Sequence, residues 1–147
     1  MKNFCTRWGI GFISALLLAA GLGSCKVEKV APMQEQAKDI SGDWHIIKAT
    51  RNGTDLTTLV DLSRFKLIFK DGKYSLVNKV PFLVGQDGLY SLDDPKYPFK
   101  ISFTAGSNQP VATAFNFPIV NGVRQLTITF SPGCANNNYV YVFQKSN

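Results

Sequence analysis

The stretch VATAFNFPIVNGVRQLTITF, residues 111–130, contains two alternating apolar and polar segments separated by Asn121-Gly122. Apolar side chains such as Phe115 and Ile128 recur at every second position, which is typical of a strand with one buried face. An Asn-Gly pair favours a two-residue hairpin turn, because both of its residues readily adopt a positive φ. The stretch therefore predicts two antiparallel strands that share one side of a core.

The same alternation continues along the chain on both sides of this hairpin. It predicts eight strands, at residues 43–51, 64–70, 73–79, 88–93, 98–104, 111–119, 124–130 and 139–145. Asp71-Gly72 favours the same kind of hairpin turn as Asn121-Gly122, and Asn52-Gly53 and Asp87-Gly88 mark two further turns. Short connections between consecutive strands favour an antiparallel meander. A meander with one apolar face can close into a barrel, which removes both free edges. We therefore expect an all-β fold, in which an eight-stranded antiparallel meander closes into a small barrel.

One segment departs from the alternation. In residues 54–63, TDLTTLVDLS, the apolar positions Leu56, Leu59 and Val60 have helical spacing. Thr54 or Asp55 could cap the start of a helix there. We expect one short helix between the first two strands, as a plug or a gate over one end of the barrel.

The beginning of the chain has the layout of a bacterial export signal. Lys2 and Arg7 precede the short apolar run 8–22, which is typical of a secretory signal peptide. A transmembrane helix needs about 20 predominantly apolar residues, and this run is short and rich in glycine. Residues 22–25, LGSC, resemble a lipobox. That resemblance implies that Cys25 receives a diacylglycerol and becomes the lipid-anchored first residue of the mature protein.

These observations divide the chain into a signal peptide at residues 1–24, a lipidated tether at 25–40 and a barrel domain at 41–147. The 123 residues that follow residue 24 are the size of one domain. Cys134 would then be the only thiol besides the anchor. We interpret it as a partly covered loop cysteine, with a reactive thiol or an intermolecular link as the alternatives.

The charge of the chain indicates a membrane surface rather than nucleic acid as its neighbour. The formal net charge is +6, but the lysines are scattered and form no cluster. Nucleic-acid binding proteins concentrate positive charge on one face, so we expect no nucleic-acid partner. A mildly basic surface suits anionic lipid head groups beside the anchor.

Two short similarities point to a known family. Gly42-Asp43-Trp44 resembles the Gly-x-Trp opening of lipocalins, in which the Trp packs across the closed end of the barrel. The segments SGDWHIIKATRNGTDL, SLDDPKYPFKISF, FNFPIVNG and LTITFSPGC are similar to lipocalin-like lipoproteins of Bacteroidota, a family of unknown function. This resemblance implies an eight-stranded lipocalin-like barrel and brings no activity with it.

Residues able to carry catalysis or a metal are sparse. His45 is the single histidine, and a metal site normally needs further His or Cys ligands. Asp93 and Asp94 are adjacent and precede Pro95, which favours a turn over an acid–base pair or a calcium site. The sequence carries no nucleophile-elbow, phosphate-loop or dinucleotide motif. We therefore expect no catalytic residues, no metal, no cofactor and no enzymatic activity.

Aromatic side chains dominate the positions expected to face inward. They are Trp44, Phe65, Phe69, Tyr74, Tyr90, Phe99, Phe103, Phe115, Phe117, Phe130, Tyr141 and Phe143. A small eight-stranded barrel has room for its own side chains or for one small ligand, so a filled core competes with a usable cavity. If a ligand pocket exists, it should lie at one mouth, with a Tyr hydroxyl as its polar group. The candidate ligand-binding residues are Trp44, Tyr74, Tyr90, Phe115, Phe117 and Tyr141.

Three functions remain after these exclusions. The first is a lipid-anchored, non-catalytic cell-envelope protein that binds a small apolar ligand or a protein partner. The second is a structural subunit of an envelope assembly, and the third is an enzyme with an unrecognised carboxylate site. In bacteria of the group that this resemblance indicates, lipoproteins exported to the cell surface carry an acidic run just after the lipidated cysteine. No such run follows Cys25, so we expect the domain to sit at the outer membrane and face the periplasm.

The lipid anchor is directly testable. Cys25→Ala removes the thiol that would be acylated, so the variant should incorporate no fatty-acid analogue and should remain as an uncleaved precursor. Metabolic labelling followed by gel fluorography of the parent and the variant checks this. Equal incorporation in the two proteins would contradict the lipoprotein prediction.

Overall fold

The computed structural model describes residues 33–146, so the predicted signal peptide and Cys25 lie outside the described residues. Within this range the chain forms ten strands and no helix. The strands are β1 Gly42–Arg51, β2 Thr54–Asp55, β3 Lys66–Lys70, β4 Lys73–Val77, β5 Gly88–Leu92, β6 Lys100–Ala105, β7 Val111–Asn116, β8 Ile119–Val120, β9 Val123–Phe130 and β10 Tyr139–Lys145.

Eight of these strands close into a barrel. The order around it is β1-β3-β4-β5-β6-β7-β9-β10, every neighbouring pair is antiparallel, and β10 pairs with both β9 and β1. The two-residue strands β2 and β8 extend hairpins with β1 and β9. The predicted eight-stranded antiparallel barrel is confirmed. Closure leaves none of the eight strands as an open edge.

The barrel has two different ends, which are used as reference points below. The strap end is where β1 begins and β10 ends, and residues 35–40, here named the strap, lead into it. The turns 71–72 and 93–99 and the hairpin 117–124 also lie there. The opposite, far end carries the connections that follow β1, β4, β6 and β9.

Two hairpin turns at the strap end have the predicted geometry. Asn121 and Gly122 have φ values of 51° and 79°, and Asp71 and Gly72 have 49° and 74°. Both pairs therefore occupy the left-handed region that a tight hairpin requires. Asp87, predicted to start a similar turn, instead accepts a hydrogen bond from the Leu76 amide with its Oδ1, at 2.9 Å.

Strand β1 keeps its apolar side chains inside by means of a bulge. Trp44 and Ile46 are buried and His45 lies on the outer face. Strict alternation would next point Lys48 inward, but the pairing with β10 shifts between Ile46 and Lys48. Because of this extra residue, Ala49 rather than Lys48 faces the core.

The helix predicted within residues 54–63 does not form. Thr54 and Asp55 pair with β1, and the Asp55 carboxylate accepts a hydrogen bond from the Thr57 amide. A single turn follows, in which the Leu59 and Val60 amides both donate to the carbonyl of Leu56. Pairing and side-chain capping consume the residues that would have formed the first helical turn, so one turn remains.

Five of the predicted strands, β3 to β7, are shorter than expected, and in β6 and β7 this changes which side chains reach the core. Residue 99 would continue the inward series of β6, but Phe99 lies before the strand and is 71% exposed, so it does not join the core. β7 ends at Asn116 rather than at residue 119, because Pro118 has no N–H to donate to the ladder. Ile119 continues the alternation of Phe115 and Phe117 and would face inward in a longer strand, but it is exposed in the hairpin beyond the barrel wall.

The core is closed by a residue from a loop that the alternation did not single out. Phe82, in the connection 78–87 after β4, is only 7% exposed. Its ring lies against five other rings, with centroid distances of 5.2–6.5 Å. They belong to Phe65, Phe103, Phe130, Tyr141 and Phe143. The segment 78–87 is named the plug loop below.

A matched pair of substitutions tests this packing. Phe82→Ala should lower the free energy of unfolding by about 3–5 kcal/mol, because a buried ring leaves a cavity among rigid neighbours. Phe99→Ala removes the same ring from an exposed position and should change it by less than about 0.5 kcal/mol. Chemical denaturation of both variants beside the parent checks the difference. Equal losses would contradict the placement of Phe82 in the core.

Candidate functional site

The six candidate ligand-binding residues do not form one site. Trp44, Phe115 and Phe117 lie together at the strap end. Tyr74 and Tyr141 hold the plug loop. Tyr90 packs against Phe69, with ring centroids 4.6 Å apart. Sequence alternation correctly placed Trp44, Tyr74, Phe115 and Tyr141 in the core, but it could not tell how far along the barrel axis each of them lies.

Two of these three residues, Trp44 and Phe117, line a cleft of about 400 Å³ at the strap end. The Trp44 indole is buried, and its Nε1 donates to the carbonyl of Ile40 at 2.8 Å. Its ring meets Phe117 edge-on at 6.2 Å, and Phe117 in turn stacks on Phe115 at 6.2 Å. Ile40, the last residue of the strap, is itself buried. Its side chain and the hydrogen bond from the Trp44 indole thus hold the strap against the first residues of β1.

Arg124 covers the outer side of this aromatic group. Its guanidinium carbon lies 4.6 Å from the centroid of the Phe117 ring. Its Nη1 donates to the Phe117 carbonyl at 2.8 Å. A guanidinium held over a ring in this way gains cation–π attraction and loses little further mobility. Remaining N–H groups of Arg124 are available to an acceptor in the cleft.

The strap contributes two carboxylates to the same cleft. Glu35 pairs with Lys38, and that hydrogen bond and charge, with Arg124 nearby, lower the pKa of Glu35. Hydrogen bonds from Ser41 lower the pKa of Asp39, and the charge of Lys145 adds to the effect. Both groups are therefore ionised at neutral pH. With Lys38, Arg124 and Lys145 as the cations, the cleft is a charged surface with a small positive excess.

The hydroxyls of the two buried tyrosines both bind the backbone of the plug loop. Tyr141 donates to the Pro81 carbonyl at 2.9 Å, and Tyr74 donates to the Gln86 carbonyl at 2.7 Å. Burial raises the pKa of both groups, that of Tyr141 to about 12. The hydroxyls that could orient a ligand inside the barrel thus orient the chain's own backbone.

A second cleft lies on the barrel wall, where β4 and β5 meet. These strands share only the pairs Lys73–Leu89 and Tyr74–Gly88. The cleft has a volume of about 680 Å³ and an open shape, and exposed Leu89 lies on its lining. The Asp87 carboxylate lies at the same junction of β4 and β5. It accepts the hydrogen bond of the Leu76 amide, which has no partner in β5.

One protein family covers most of the sequence. The family described as Domain of unknown function (DUF5004) matches residues 24–144. The chain belongs to this family. No curated protein and no solved structure matches it. A DUF5004 domain folded as an eight-stranded barrel fits the lipocalin-like resemblance inferred from the sequence.

The adjacent carboxylates of this DUF5004 domain build a turn, as predicted. Asp93 Oδ1 accepts hydrogen bonds from the amides of Phe99 and Lys100, both at 3.0 Å. Asp94 Oδ1 accepts from the amides of residues 96 and 97 at 2.7 and 2.9 Å. These bonds lower the pKa of both aspartates, so neither holds a proton for acid catalysis near neutral pH.

Other candidates for chemistry are isolated. His45 Nδ1 lies 3.3 Å from Ser146 Oγ on the outer face. Across residues 33–146 no three His, Cys, Asp or Glu side chains come together as a metal site. The same range contains no helix with the length and apolar character needed to cross a bilayer. Cys134 lies in the loop after β9, as predicted, but it is exposed rather than partly covered.

The residues of the strap-end cleft that sequence reasoning missed are charged. Arg124, Lys145 and the strap carboxylates surround Phe117, yet their separation along the chain hides this. One signal was available, because Arg124 faces Ile119 across the Asn-Gly hairpin. Hairpin register alone therefore places its side chain beside the end of β7. No comparable sequence signal places the strap across the barrel end.

The buried tyrosine hydroxyl gives a pH prediction. A phenol whose pKa is raised by folding keeps its proton longer in the folded state, so its contribution to stability is present below pH 10 and is lost as pH rises toward 12. Tyr141→Phe should be about 0.5–1.5 kcal/mol less stable at pH 7 but should lose less stability between pH 10 and 12 than the parent. Denaturant melts across this range check it.

The matched control is Tyr97→Phe, which removes the hydroxyl of an exposed tyrosine. This variant should follow the parent at every pH. A Tyr141→Phe variant with the same alkaline loss as the parent would contradict the assignment.

Proposed function

We propose that this DUF5004 protein is a lipid-anchored, non-catalytic component of a bacterial cell envelope that binds a protein partner through its outer surface. One observation carries the proposal: the barrel interior is filled by its own rings, with Phe82 among five of them. Protein interiors packed in this way leave no room for a guest without displacing side chains. Binding by this protein therefore takes place on its exterior.

The anchor in this proposal is the lipobox-like segment 22–25. Lipidation of Cys25 would leave residues 26–34 between the membrane and the strap. A flexible chain of that length spans roughly 17 Å on average. The family match starts at residue 24, so almost all of the predicted signal peptide lies outside it. The absence of an acidic run after Cys25 is the reason for assigning the barrel to the periplasmic side of the outer membrane.

The far end offers the surface best suited to a partner. Leu59 and Val60 are exposed there, beside a cleft of about 400 Å³ that also contains Ile46 and Leu62. Exposed apolar side chains around a cleft are a common feature of protein interaction sites. This end is also the one farthest from the strap, and therefore from the proposed anchor. An envelope protein with an apolar side chain to insert is the expected partner.

A small anionic amphiphile is the second candidate, because the strap cleft combines a ring with cations. Phe117 offers an apolar surface, and Arg124 and Lys145 offer positive charge above it. This function requires a free ligand rather than a protein partner. It would make Phe117 and Arg124 the residues that bind.

Site-specific crosslinking in living cells separates these alternatives. A photoreactive amino acid in place of Leu59 should give a discrete adduct with one envelope protein. The same probe in place of Leu89, an exposed leucine on the barrel wall, is the matched control and should give none. Val60→Asp should abolish the adduct at position 59 without lowering the melting temperature.

The opposite pattern would favour the second candidate. In that case no adduct forms at position 59, and anionic amphiphiles raise the melting temperature of the parent. Arg124→Gln should then remove that rise, whereas Lys48→Gln, at an exposed position of β1, should not.

A further inference from the structure

Five exposed apolar side chains are concentrated at the strap end of the barrel. They are between 40 and 71% exposed and are named the lip here: Tyr97, Phe99, Ile119, Val120 and Val123. Two come from the turn after β5 and three from the hairpin after β7. A group of this kind on a protein surface is unusual enough to require an explanation, since exposed apolar residues normally occur singly.

The two parts of the lip are adjacent in the sheet. The Phe115 amide donates to the Phe99 carbonyl at 2.9 Å, so the end of β7 runs beside residue 99. The hairpin 117–124 continues from that point, and the Gln125 amide closes it onto the Pro118 carbonyl at 3.0 Å. Residues 97–99 and 119–123 therefore project from neighbouring strands at one end of the barrel.

Both parts are held rigidly in this exposed position. Arg124 ties the hairpin to Phe117 through its 2.8 Å hydrogen bond and its contact with the ring. The carboxylates of Asp93 and Asp94 each accept backbone hydrogen bonds from the turn that carries Tyr97 and Phe99. These contacts fix the backbone that presents the apolar side chains outward, and a fixed apolar patch of this kind indicates an interaction surface.

The path of the chain identifies what this surface contacts. Glu35, the first residue of the strap, lines the same cleft as Phe117 and Arg124, so the chain arrives directly beside the lip. Nine residues, 26–34, lie between it and Cys25, and the ten peptide steps from Cys25 to Glu35 reach at most about 35 Å. If Cys25 is lipidated, as the proposed function holds, the bilayer is therefore within reach of the lip.

The composition of the lip suits a bilayer interface. Aromatic residues such as Tyr97 favour the level of the lipid head groups, and lysine side chains extend from it toward phosphates. Lys96 and Lys100 flank the turn, and Arg124 flanks the hairpin. The nearby carboxylates of Asp93 and Asp94 are already engaged by backbone amides. These two carboxylates remain ionised, so Lys96, Lys100 and Arg124 leave an excess of one positive charge around the lip to face anionic lipid.

We infer that the lip is a membrane-docking surface, which seats the strap end of the barrel on the anionic head groups around its own anchor. Its apolar side chains enter the boundary between head groups and acyl chains. Docking in this orientation directs the far end, with Leu59, away from the bilayer. This inference rests on the lipid anchor of the proposed function, and the experiment keeps the two apart.

The test uses the full lipidated protein in vesicles of phosphatidylethanolamine and phosphatidylglycerol. Cys134→Ser removes the exposed thiol in the described barrel, and an acylated Cys25 cannot react. A polarity-sensitive fluorophore is then attached through Val120→Cys on the lip or through Leu59→Cys at the far end. Lipids brominated near the head group should quench the label at position 120 and leave the label at position 59 unchanged.

A second substitution separates docking from simple proximity. Phe99→Asp in the protein labelled at position 120 should reduce the quenching, because it places a charge in the lip. Leu89→Asp, on the barrel wall, is the matched control and should leave the quenching intact. Circular dichroism of each variant verifies that the barrel is folded.

Three outcomes would overturn the inference. A lipidated protein whose label at position 120 is unquenched has an anchor but no docked lip. Equal quenching at positions 120 and 59 means that the barrel has no preferred orientation. A label at position 120 that is already shielded without vesicles, with doubled molecular mass, means that a second copy covers the lip. Failure of Cys25 to incorporate fatty acid would instead refute the proposed function.

Discussion

The fold depends on one ring placed among five others. Phe82 comes from a loop, yet it lies in contact with rings from β6, β9 and β10 and with Phe65, which precedes β3. Buried Tyr141 and Tyr74 hydroxyls hold the backbone on either side of it. A barrel whose strands bend around such a cluster excludes water from its interior.

Much of the fold could be predicted because strand periodicity and hairpin turns are local properties. The eight barrel strands and the Asn121-Gly122 and Asp71-Gly72 turns were expected from sequence and are present. The helix expected at residues 54–63 is absent, because Thr54 pairs with β1 as part of strand β2. Phe82 escaped prediction for a related reason: its burial depends on where a loop crosses the barrel, and no local pattern encodes that.

The candidate site was predictable only in part. Burial of Trp44, Tyr74, Phe115 and Tyr141 follows from alternation, but their separation into different ends depends on the stagger of the strands. The charged residues of the strap cleft are scattered over the chain, and only closure of the barrel brings them together. The alternation also does not predict the bulge in β1, in which one extra residue keeps Lys48 on the outer face of the barrel.

The position of β1 in the ring has a mechanical consequence. The strap continues directly into this strand, which is bonded to β10 along one side and to β3 along the other. Tension arriving along the strap would act parallel to the strand axis and perpendicular to its hydrogen bonds. The bonds would then share the load in shear, and none would be peeled away singly. A chain held by its amino-terminal side at a fluctuating surface thereby receives force through one of its best supported strands.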